Sequence, residues 1–551
     1  MTLPPSPVGA DQPAQFPDGT DQPTLFPDGT DQPPDATFLR DRLDHWATVR
    51  PDAEAISFAE QTFTWGQWRE RILRLAGALR EAGVASGDRV AVLNLNHLAT
   101  IELTLAASSL GAATAVANSR LSPDQIRYIL ADSRPVILFY GADLAGLATD
   151  AGADDLVPGR VVIGGDDDGY EPFLAAGQPD EGGGADRDDV CLVLYTSGTT
   201  GRPKGAQLTH RGICTHSAAG APGLALDTDG VNLVAMPLFH VGGSCYAQAG
   251  ISAGMRTILL REPAPAALFG AIASGATHAF VVPAVIHGVL AAGPQPIAAF
   301  GGLKMIIYGA SPMPLPMLRK ALDAWPESEI VQVYGMTEVS GAVTILSDEA
   351  HRDAAHPDGH PQRLASAGLP MPGVEVRVVD PVTLDDVAPD ETGEVWLRTA
   401  QVMRGYLNKP EATADTKTAD GWVRTGDIGR TDSGGFLYIL DRLKDMIITG
   451  GENVYGPEVE SVLNACPGVS EGVIIGVPDE RWGEAVKAIV VAVPGTELTE
   501  ADVIAYCRAN LAHYQCPVSV DIVAELPRNA TGKVLKRDLR KPYWADRDRA
   551  I

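Results

Sequence analysis

The strongest constraint on the fold is a regular alternation of short apolar runs with helical patterns between about residues 36 and 440. The predicted strands cover residues 89–95, 113–117 and 135–140. Between them, residues 100–110 predict a buried helix, and Ser122-Pro123-Asp124-Gln125 predicts a helix start with a capping box. Strands that alternate with helices at this spacing form layered α/β structures with a largely parallel sheet.

The sequence pattern changes near Asp441. A charged segment at 441–445 leads into a Gly-rich loop at 449–453, and an amphipathic helix is predicted after Pro457. Two further strands are predicted at 472–477 and 488–493. We therefore expect an α/β protein with a large N-terminal domain of layered α/β subdomains at 37–441 and a small α+β C-terminal domain at 442–551.

The first 36 residues form a separate segment. A ten-residue unit rich in Pro and Asp is written twice over residues 11–30, and a third copy begins at Asp31. Such a composition buries too little apolar surface to offset the entropy of ordering, so we expect a disordered tail. A passive, solubilising tail is the favoured interpretation, and a partner-docking tail is the alternative.

Charge and cysteine content restrict the class of protein. The net charge of -27 disfavours nucleic acids and anionic membranes as partners because the far field repels both. Six cysteines without a C-x-x-C pair suggest buried free thiols in a reducing cytoplasm. No signal peptide and no integral membrane segment are predicted, and a homodimer stays open.

A Gly- and hydroxyl-rich loop follows the strand predicted at 190–195. Its glycines allow close backbone approach to a phosphate, its hydroxyls donate hydrogen bonds, and its lysine adds a charge. The residues concerned are Thr196, Ser197, Gly198, Thr199, Thr200, Gly201 and Lys204. The spacing differs from that of P-loop NTPases. The residues alone favour phosphate binding over a flexible surface hairpin.

This loop resembles the phosphate loop of the acyl-adenylate-forming (ANL) superfamily, which includes acyl-CoA synthetases, peptide-synthetase adenylation domains and beetle luciferases. Further segments similar to that superfamily's motifs follow in the same order. They are MPLFH at 236–240, YGAS at 308–311, VYGMTE at 333–338, GWVRTGD at 421–427, the segment at 441–453, and PRNATGK at 527–533. The resemblance covers about residues 37–545 and is closest to acyl-CoA synthetases.

The resemblance implies a nucleotide site for ATP. Tyr334 would stack on adenine, whose other face would lie against Gly309, Ala310 and Ser311. Asp427 would accept hydrogen bonds from the ribose hydroxyls, and Arg442 would reach the ribose and a phosphate. The motif also places Gly335 and Met336 at the nucleotide.

The resemblance also implies the catalytic groups. Thr337 and Glu338 would hold the α-phosphate and Mg²⁺, with Thr199 as a second metal ligand. Lys533 would bridge the substrate carboxylate and the α-phosphate, where negative charge accumulates. His240 would line the channel for the acyl group and pantetheine.

The implied reaction has two halves, the formation of acyl-AMP and its conversion by CoA to a thioester. The resemblance implies that the C-terminal domain is mobile and rotates about Lys444 between them, so that Gly450, Gly451 and Glu452 replace Lys533 at the site. A fatty acid is the expected substrate, with an aryl or steroid-derived acid as the alternative. Carrier-protein loading, a luciferase-like oxygenase and an inactive binding protein are the competing functions.

Two other patterns are interpreted as non-functional. His351, His356 and His360 have spacings that match no common zinc pattern, so we expect a solvent-exposed loop. The G-x-S-x-G match at 468–472 lacks the strand-before-helix order of a hydrolase nucleophile elbow, since the predicted order is the reverse.

Overall fold

The computed structural model describes residues 36–183, 185–196, 202–357, 359–450, 452–479, 481–528 and 534–545. Several predictions fall outside these ranges: the tail at 1–35, Ser197, Gly198, Thr199, Thr200, Gly201, Gly451 and Lys533.

Helices and strands alternate over most of the described chain. The helices are α1 Leu39–Val49, α2 Trp65–Glu81, α3 Leu98–Ser109, α4 Pro123–Ser133, α5 Ala145–Asp150, α6 Ala153–Leu156, α7 Tyr170–Ala176, α8 His210–Gly220, α9 Val241–Ser252, α10 Pro265–Ala273, α11 Pro283–Ala291, α12 Pro294–Phe300, α13 Leu315–Ala324, α14 Asp348–Ala355, α15 Pro410–Thr416, α16 Gly456–Leu463, α17 Glu500–Asn510 and α18 Lys536–Trp544. The strands are β1 Glu54–Phe58, β2 Gln61–Thr64, β3 Arg89–Leu93, β4 Ala113–Ala117, β5 Ile137–Gly141, β6 Gly159–Ile163, β7 Val190–Thr196, β8 Lys204–Thr209, β9 Val231–Val234, β10 Arg256–Leu259, β11 His278–Val281, β12 Met305–Gly309, β13 Glu329–Met336, β14 Gly341–Leu346, β15 Leu369–Pro370, β16 Val374–Val379, β17 Gly393–Thr399, β18 Gly405–Tyr406, β19 Val423–Thr431, β20 Leu437–Arg442, β21 Ile447–Thr449, β22 Glu452–Val454, β23 Val469–Asp479, β24 Gly483–Ala492 and β25 Ser519–Val523.

Two large sheets build the N-terminal part. One has the strand order β15-β14-β13-β12-β11-β9-β10-β1-β2, and the other has the order β18-β8-β7-β4-β3-β5-β6. The inner strands of both sheets are parallel, as predicted. Antiparallel strand pairs lie at both edges of the first sheet and at the β18 edge of the second. One apolar cluster contains side chains from both sheets and from α1, α2, α3, α8 and α9, so helices fill the space between them.

Two smaller sheets complete the described chain. The strands β16, β17, β19 and β20 form an antiparallel sheet, and β22-β21-β24-β23 forms another, with β25 added in parallel to β24. The second of these packs against α16, α17 and α18. This smaller α+β unit follows the α/β part, which confirms the predicted fold class.

Local sequence signals place several elements correctly. Ser122 accepts a hydrogen bond from the Gln125 N–H, and Gln125 reciprocates at the Ser122 N–H, so α4 begins with the predicted capping box. At the G-x-S-x-G match, α16 precedes and β23 follows, which excludes the nucleophile-elbow geometry. All six cysteines are free and buried, as expected.

A group of buried charges surrounds the segment that links the two parts. Asp441 accepts hydrogen bonds from the backbone N–H groups of Arg442 and Gly456, both at 2.7 Å. Helix α18 returns to the same segment, where Arg540 pairs with Asp445 and donates to the Lys444 carbonyl at 2.9 Å. Lys444 and Asp445 are therefore held to α18 by polar contacts, whereas Asp441, before the link, is held to the start of α16.

Burial raises the pKa of Asp441 to about 6, and this value predicts a pH-dependent stability. Lys536 and the two N–H donors oppose the shift, whereas Asp445 adds to it. Because folding raises the pKa of this carboxyl group, its protonated form favours the folded state. This stabilisation is complete below the pKa of Asp441 in the unfolded chain, and it is lost as the pH rises through about 6. When the pH is lowered from 7 to 4, the free energy of unfolding of the wild type should therefore rise by up to about 3 kcal/mol relative to that of Asp441→Asn.

The measurement is the difference in thermal unfolding between wild type and variant across this pH range. Asp445→Asn is the matched control. Burial disfavours the charged form of Asp445, but Arg540 and the neighbouring lysines outweigh this effect and lower the pKa of Asp445. The stabilisation that Asp445 provides is therefore lost when the pH falls. If the difference in stability from the wild type changed with pH in the same direction for both variants, the raised pKa of Asp441 would be contradicted.

Candidate active site

The predicted site residues collect at the carboxyl ends of parallel strands. In the first large sheet β9, β11, β12 and β13 run parallel, and the segments after them carry His240, Gly309-Ala310-Ser311 and Glu338. In the second large sheet Thr196 ends β7 and Lys204 begins β8, opposite each other in the register. Ligands of open α/β sheets bind at such edges.

Tyr334 and Arg442 form one polar group around the buried carboxylate of Asp427. The Tyr334 hydroxyl donates to Asp427 Oδ2 at 2.6 Å, and Arg442 Nε pairs with Asp427 Oδ1 at 2.6 Å. Asp427 and Arg442 face each other across β19 and β20, and Asp427 is only 3% exposed. Burial, and then the Asp427 charge, raise the pKa of Tyr334, so its hydroxyl stays protonated.

Close backbone packing requires glycine at two of the predicted positions. A Cβ on Gly335 would lie 1.8 Å from the Gly341 carbonyl oxygen, and one on Gly309 would lie 2.4 Å from that of Val333. Ala310, between Gly309 and Ser311, has a φ of 66°, in the left-handed region. The backbone after β12 is thus turned sharply beside the strand that carries Tyr334 and Met336.

Glu338 lies at the junction of the two large sheets. It follows Thr337 in a short 3₁₀ helix, is 7% exposed, and its Oε1 accepts a hydrogen bond from the Tyr406 hydroxyl at 2.6 Å. The Lys204 ammonium lies 5.0 Å from the centre of the Tyr406 ring. The base of the Gly-rich loop and the carboxylate predicted to hold Mg²⁺ therefore meet at one tyrosine.

Tyr406 is a residue that the sequence reasoning missed. It lies in a two-residue strand after a glycine, and no periodicity or motif sets it apart. Its partner Glu338 is 68 residues away in the chain.

The donor set at Glu338 fits a magnesium ion. Glu338 supplies a carboxylate and Thr337 a hydroxyl, and hard cations prefer such oxygen ligands. The described residues contain no group of three or more His, Cys, Asp and Glu side chains suited to a metal. A metal ion held there would keep coordination positions for phosphate oxygens and water.

His240 lies at the N-terminus of α9. It is the N-cap residue, and its carbonyl accepts hydrogen bonds from the N–H groups of Gly243 and Ser244. Burial lowers the pKa of its imidazole to about 4, with a smaller contribution from Arg120, so the ring is neutral at pH 7. Its Nε2 is buried and has no hydrogen-bond partner among the described residues.

The loop predicted to reach CoA lies in the C-terminal part. Glu452 begins β22 and is exposed, and the Gly450 N–H donates to the Trp482 carbonyl at 2.9 Å. Gly450 has a φ of 61°. Burial is the main cause of a lowered pKa at Lys444, the predicted pivot.

One interpretation of the histidine cluster is wrong. His351 does not lie in a solvent-exposed loop but in α14, where it is fully buried. Its Nε2 lies 2.8 Å from the Tyr308 hydroxyl, and its Nδ1 lies 2.8 Å from the Ser347 carbonyl. Pro357 and Gly359 end this helix, and the loop prediction extended their breaking effect too far upstream.

None of the helices over the described ranges combines the length and apolar character needed to cross a bilayer.

Family models and known proteins agree with this geometry. The model for AMP-binding enzymes matches residues 43–407, and the model for the AMP-binding enzyme C-terminal domain matches residues 458–533. Feruloyl-CoA synthase from an Amycolatopsis species is 36% identical over 503 residues, which cover 90% of this chain and 97% of the relative.

A long-chain-fatty-acid–CoA ligase from Mycobacterium tuberculosis is 35% identical over 515 residues, with 91% of this chain and 97% of the relative covered. The solved structure of o-succinylbenzoate CoA synthetase from Bacillus subtilis, in complex with its acyl-adenylate intermediate, is similar with a TM-score of 0.79 and 28% identity. The match covers 90% of this chain and 97% of that one. The chain belongs to the AMP-binding enzyme family and is an ATP-dependent, AMP-forming acyl-CoA ligase that uses Mg²⁺ and CoA.

Proposed function

We propose that the acid activated by this ligase is a fatty acid. The observation that carries the proposal is the apolar layer between α9 and the parallel sheet, next to His240. Phe239, Tyr246 and Phe280 are buried there, and the rings of Tyr246 and Phe280 are 5.8 Å apart. A neutral His240 adds no charge to this layer. An aliphatic tail gains about 0.8 kcal/mol per methylene in such surroundings.

An aryl or steroid-derived acid is the second candidate, and unpaired polar atoms favour it. The Tyr246 hydroxyl and His216 Nδ1 are buried without a partner in the described part of the chain. The Ala342 N–H donates to His216 Nε2 at 3.1 Å, so Nδ1 carries the proton and lacks an acceptor. A phenolic or carbonyl oxygen on the acid would satisfy such groups.

We assign the reaction steps to individual residues as follows. Tyr334, with Gly309-Ala310-Ser311, holds adenine, and Asp427 accepts from the ribose hydroxyls with its free lone pairs while Arg442 neutralises it. The acid carboxylate attacks the α-phosphate, forming acyl-AMP and expelling pyrophosphate. Thr337 and Glu338 would hold Mg²⁺, with Thr199 as a further ligand, and the bound ion would neutralise phosphate charge.

The second half follows rotation about Lys444. Lys533 stabilises the first displacement, and the loop with Gly450, Gly451 and Glu452 then replaces it at the site. The CoA thiol attacks the acyl carbonyl and AMP leaves. The domain boundary at 441/442 and the cytoplasmic location, supported by the buried thiols, belong to the same proposal. We propose no specific partner beyond the acid, ATP and CoA.

A panel of acids tests the substrate. AMP release with CoA should show kcat/KM rising with the length of straight-chain fatty acids, by up to about fourfold per methylene, because each methylene is buried. Hydroxycinnamic, benzoic and polycyclic acids should react more slowly. A hydroxycinnamate or polycyclic acid that exceeds every fatty acid would overturn the proposal, and pyrophosphate exchange without a CoA thioester would identify a carrier-loading enzyme.

The variant Tyr246→Phe distinguishes a fatty acid from an oxygenated aromatic acid as the substrate. The variant loses only the unpaired hydroxyl, so fatty-acid turnover should be retained. Turnover of an oxygenated aromatic acid should fall if the hydroxyl pairs with its oxygen.

The role of Lys533 is tested by separating the two half-reactions. Lys533→Ala should slow acyl-AMP formation by roughly 10²-fold or more, because one charge-stabilising donor is lost. Thioester formation from supplied acyl-AMP should change much less. Lys541→Ala, which removes an exposed charge from α18, is the control. Equal losses in both half-reactions would refute the assignment.

Two substitutions in the proposed nucleotide site should raise the KM for ATP by different amounts. Asp427→Asn removes a charged partner from Arg442 and should raise the KM for ATP on the order of 10²-fold. Tyr334→Phe keeps the ring and loses one hydrogen bond, so the KM should rise by about fivefold or less. Steady-state kinetics with ATP varied at saturating acid and CoA measures both. A larger effect of Tyr334→Phe would be inconsistent with adenine stacking on this ring.

A further inference from the structure

Tyr406 connects two oppositely charged groups of the active site. Its hydroxyl donates to Glu338 Oε1 at 2.6 Å, and the Lys204 ammonium lies 5.0 Å from its ring centre. The side chains of Tyr406 and Glu338 are both largely buried. Because Tyr406 carries no formal charge, it holds both groups without neutralising either.

The backbone around Tyr406 fixes its position. In β18, Gly405 and Tyr406 pair with Gln207 and Ala206 of β8, the strand that begins at Lys204. The N–H of Leu407 donates to the Gly205 carbonyl at 2.8 Å. One short strand is thus bonded to the base of the phosphate loop.

The same segment is bonded to the other side of the site. The Met403 N–H donates to the Glu338 carbonyl at 2.8 Å, and the Tyr406 N–H donates to Thr413 Oγ1 at 2.9 Å. Glu338 is therefore held through its backbone and through its side chain. The segment 403–407 sets the distance between Glu338, in the 3₁₀ helix after β13, and Lys204, at the start of β8 in the other large sheet.

The hydrogen bond also divides the two oxygens of the Glu338 carboxylate. The Tyr406 hydroxyl donates to Oε1. It leaves Oε2 for another ligand.

We propose that Tyr406 is a positioning residue for MgATP. Its hydroxyl orients Glu338 so that Oε2 faces the metal ion, and its ring holds the Lys204 ammonium toward the phosphates. The proposal rests on the role assigned above to Glu338 as a metal ligand. It separates two effects within one side chain, since the hydroxyl acts on the metal ion and the ring acts on the nucleotide.

The test compares Tyr406→Phe and Tyr406→Leu. ATP affinity is measured by titration calorimetry in EDTA and in saturating Mg²⁺, and Mg²⁺ is titrated at fixed ATP. Tyr406→Phe should raise the Mg²⁺ concentration for half-maximal ATP binding by roughly tenfold, since it loses a hydrogen bond to a carboxylate. Its affinity for metal-free ATP should change by less than about twofold.

Tyr406→Leu should show the same Mg²⁺ defect and should in addition weaken metal-free ATP binding by about threefold to fivefold, because the ring beneath Lys204 is lost. Tyr438→Phe is the matched control. The Tyr438 hydroxyl donates to the Asp432 carboxylate at 3.0 Å, and the Arg430 guanidinium lies 4.2 Å from its ring centre. This control should leave Mg²⁺ and ATP binding unchanged.

The outcomes separate this inference from the role of Glu338. If Glu338→Gln leaves the Mg²⁺ requirement unchanged, the role assigned to Glu338 is wrong and the inference falls with it. If Glu338→Gln raises the requirement and Tyr406→Phe does not, only the inference is overturned. Equal loss of metal-free and Mg²⁺-dependent ATP binding in Tyr406→Phe would show a purely structural role and would also overturn it.

Discussion

The ion pair between the buried Asp427 and the partly exposed Arg442 is the interaction on which the site depends. Asp427 and Arg442 face each other across neighbouring strands, and the Tyr334 hydroxyl occupies the second carboxylate oxygen. Removing one partner of such a pair leaves an uncompensated charge, which is costly in a buried place. The ion pair lies within the small antiparallel sheet, and the Tyr334 hydrogen bond to Asp427 joins β13 of a large sheet to it. Arg442 also begins the link to the C-terminal part.

From this ion pair the site extends in two directions. Toward the phosphates it continues through Glu338 and Tyr406 to Lys204, so two separate sheets contribute to one surface. Toward the acid it continues along α9, where His240 is neutral and the neighbouring side chains are mostly apolar. Under the proposed assignment, the charged and apolar parts of the substrates would contact chemically different walls, which suits a reaction between a carboxylic acid and ATP.

The sequence predicted what local patterns encode. The capping box at Ser122 and Gln125 and the strand before the Gly-rich loop follow from short-range propensity, and the structure confirms both. The ordered motifs singled out Tyr334, Asp427 and Arg442. The hydrogen bond and the ion pair between these side chains could be seen only in the folded structure. Tyr406 could not be found in this way because its partner lies in a distant segment. His351 was misjudged because nearby helix-breaking residues obscured a helix that ends before them.

The link at Lys444 would couple nucleotide binding to the proposed rotation of the C-terminal domain. Arg442 belongs to the proposed nucleotide site, while Asp441 beside it bonds to Gly456 and Asp445 beyond it pairs with Arg540. A rotation about Lys444 would keep the Asp445–Arg540 pair, which lies on one side of the pivot. It would have to break the Asp441–Gly456 bond, which crosses it. The cost of leaving a buried carboxylate unpaired then opposes rotation, and protonation of Asp441 lowers that cost.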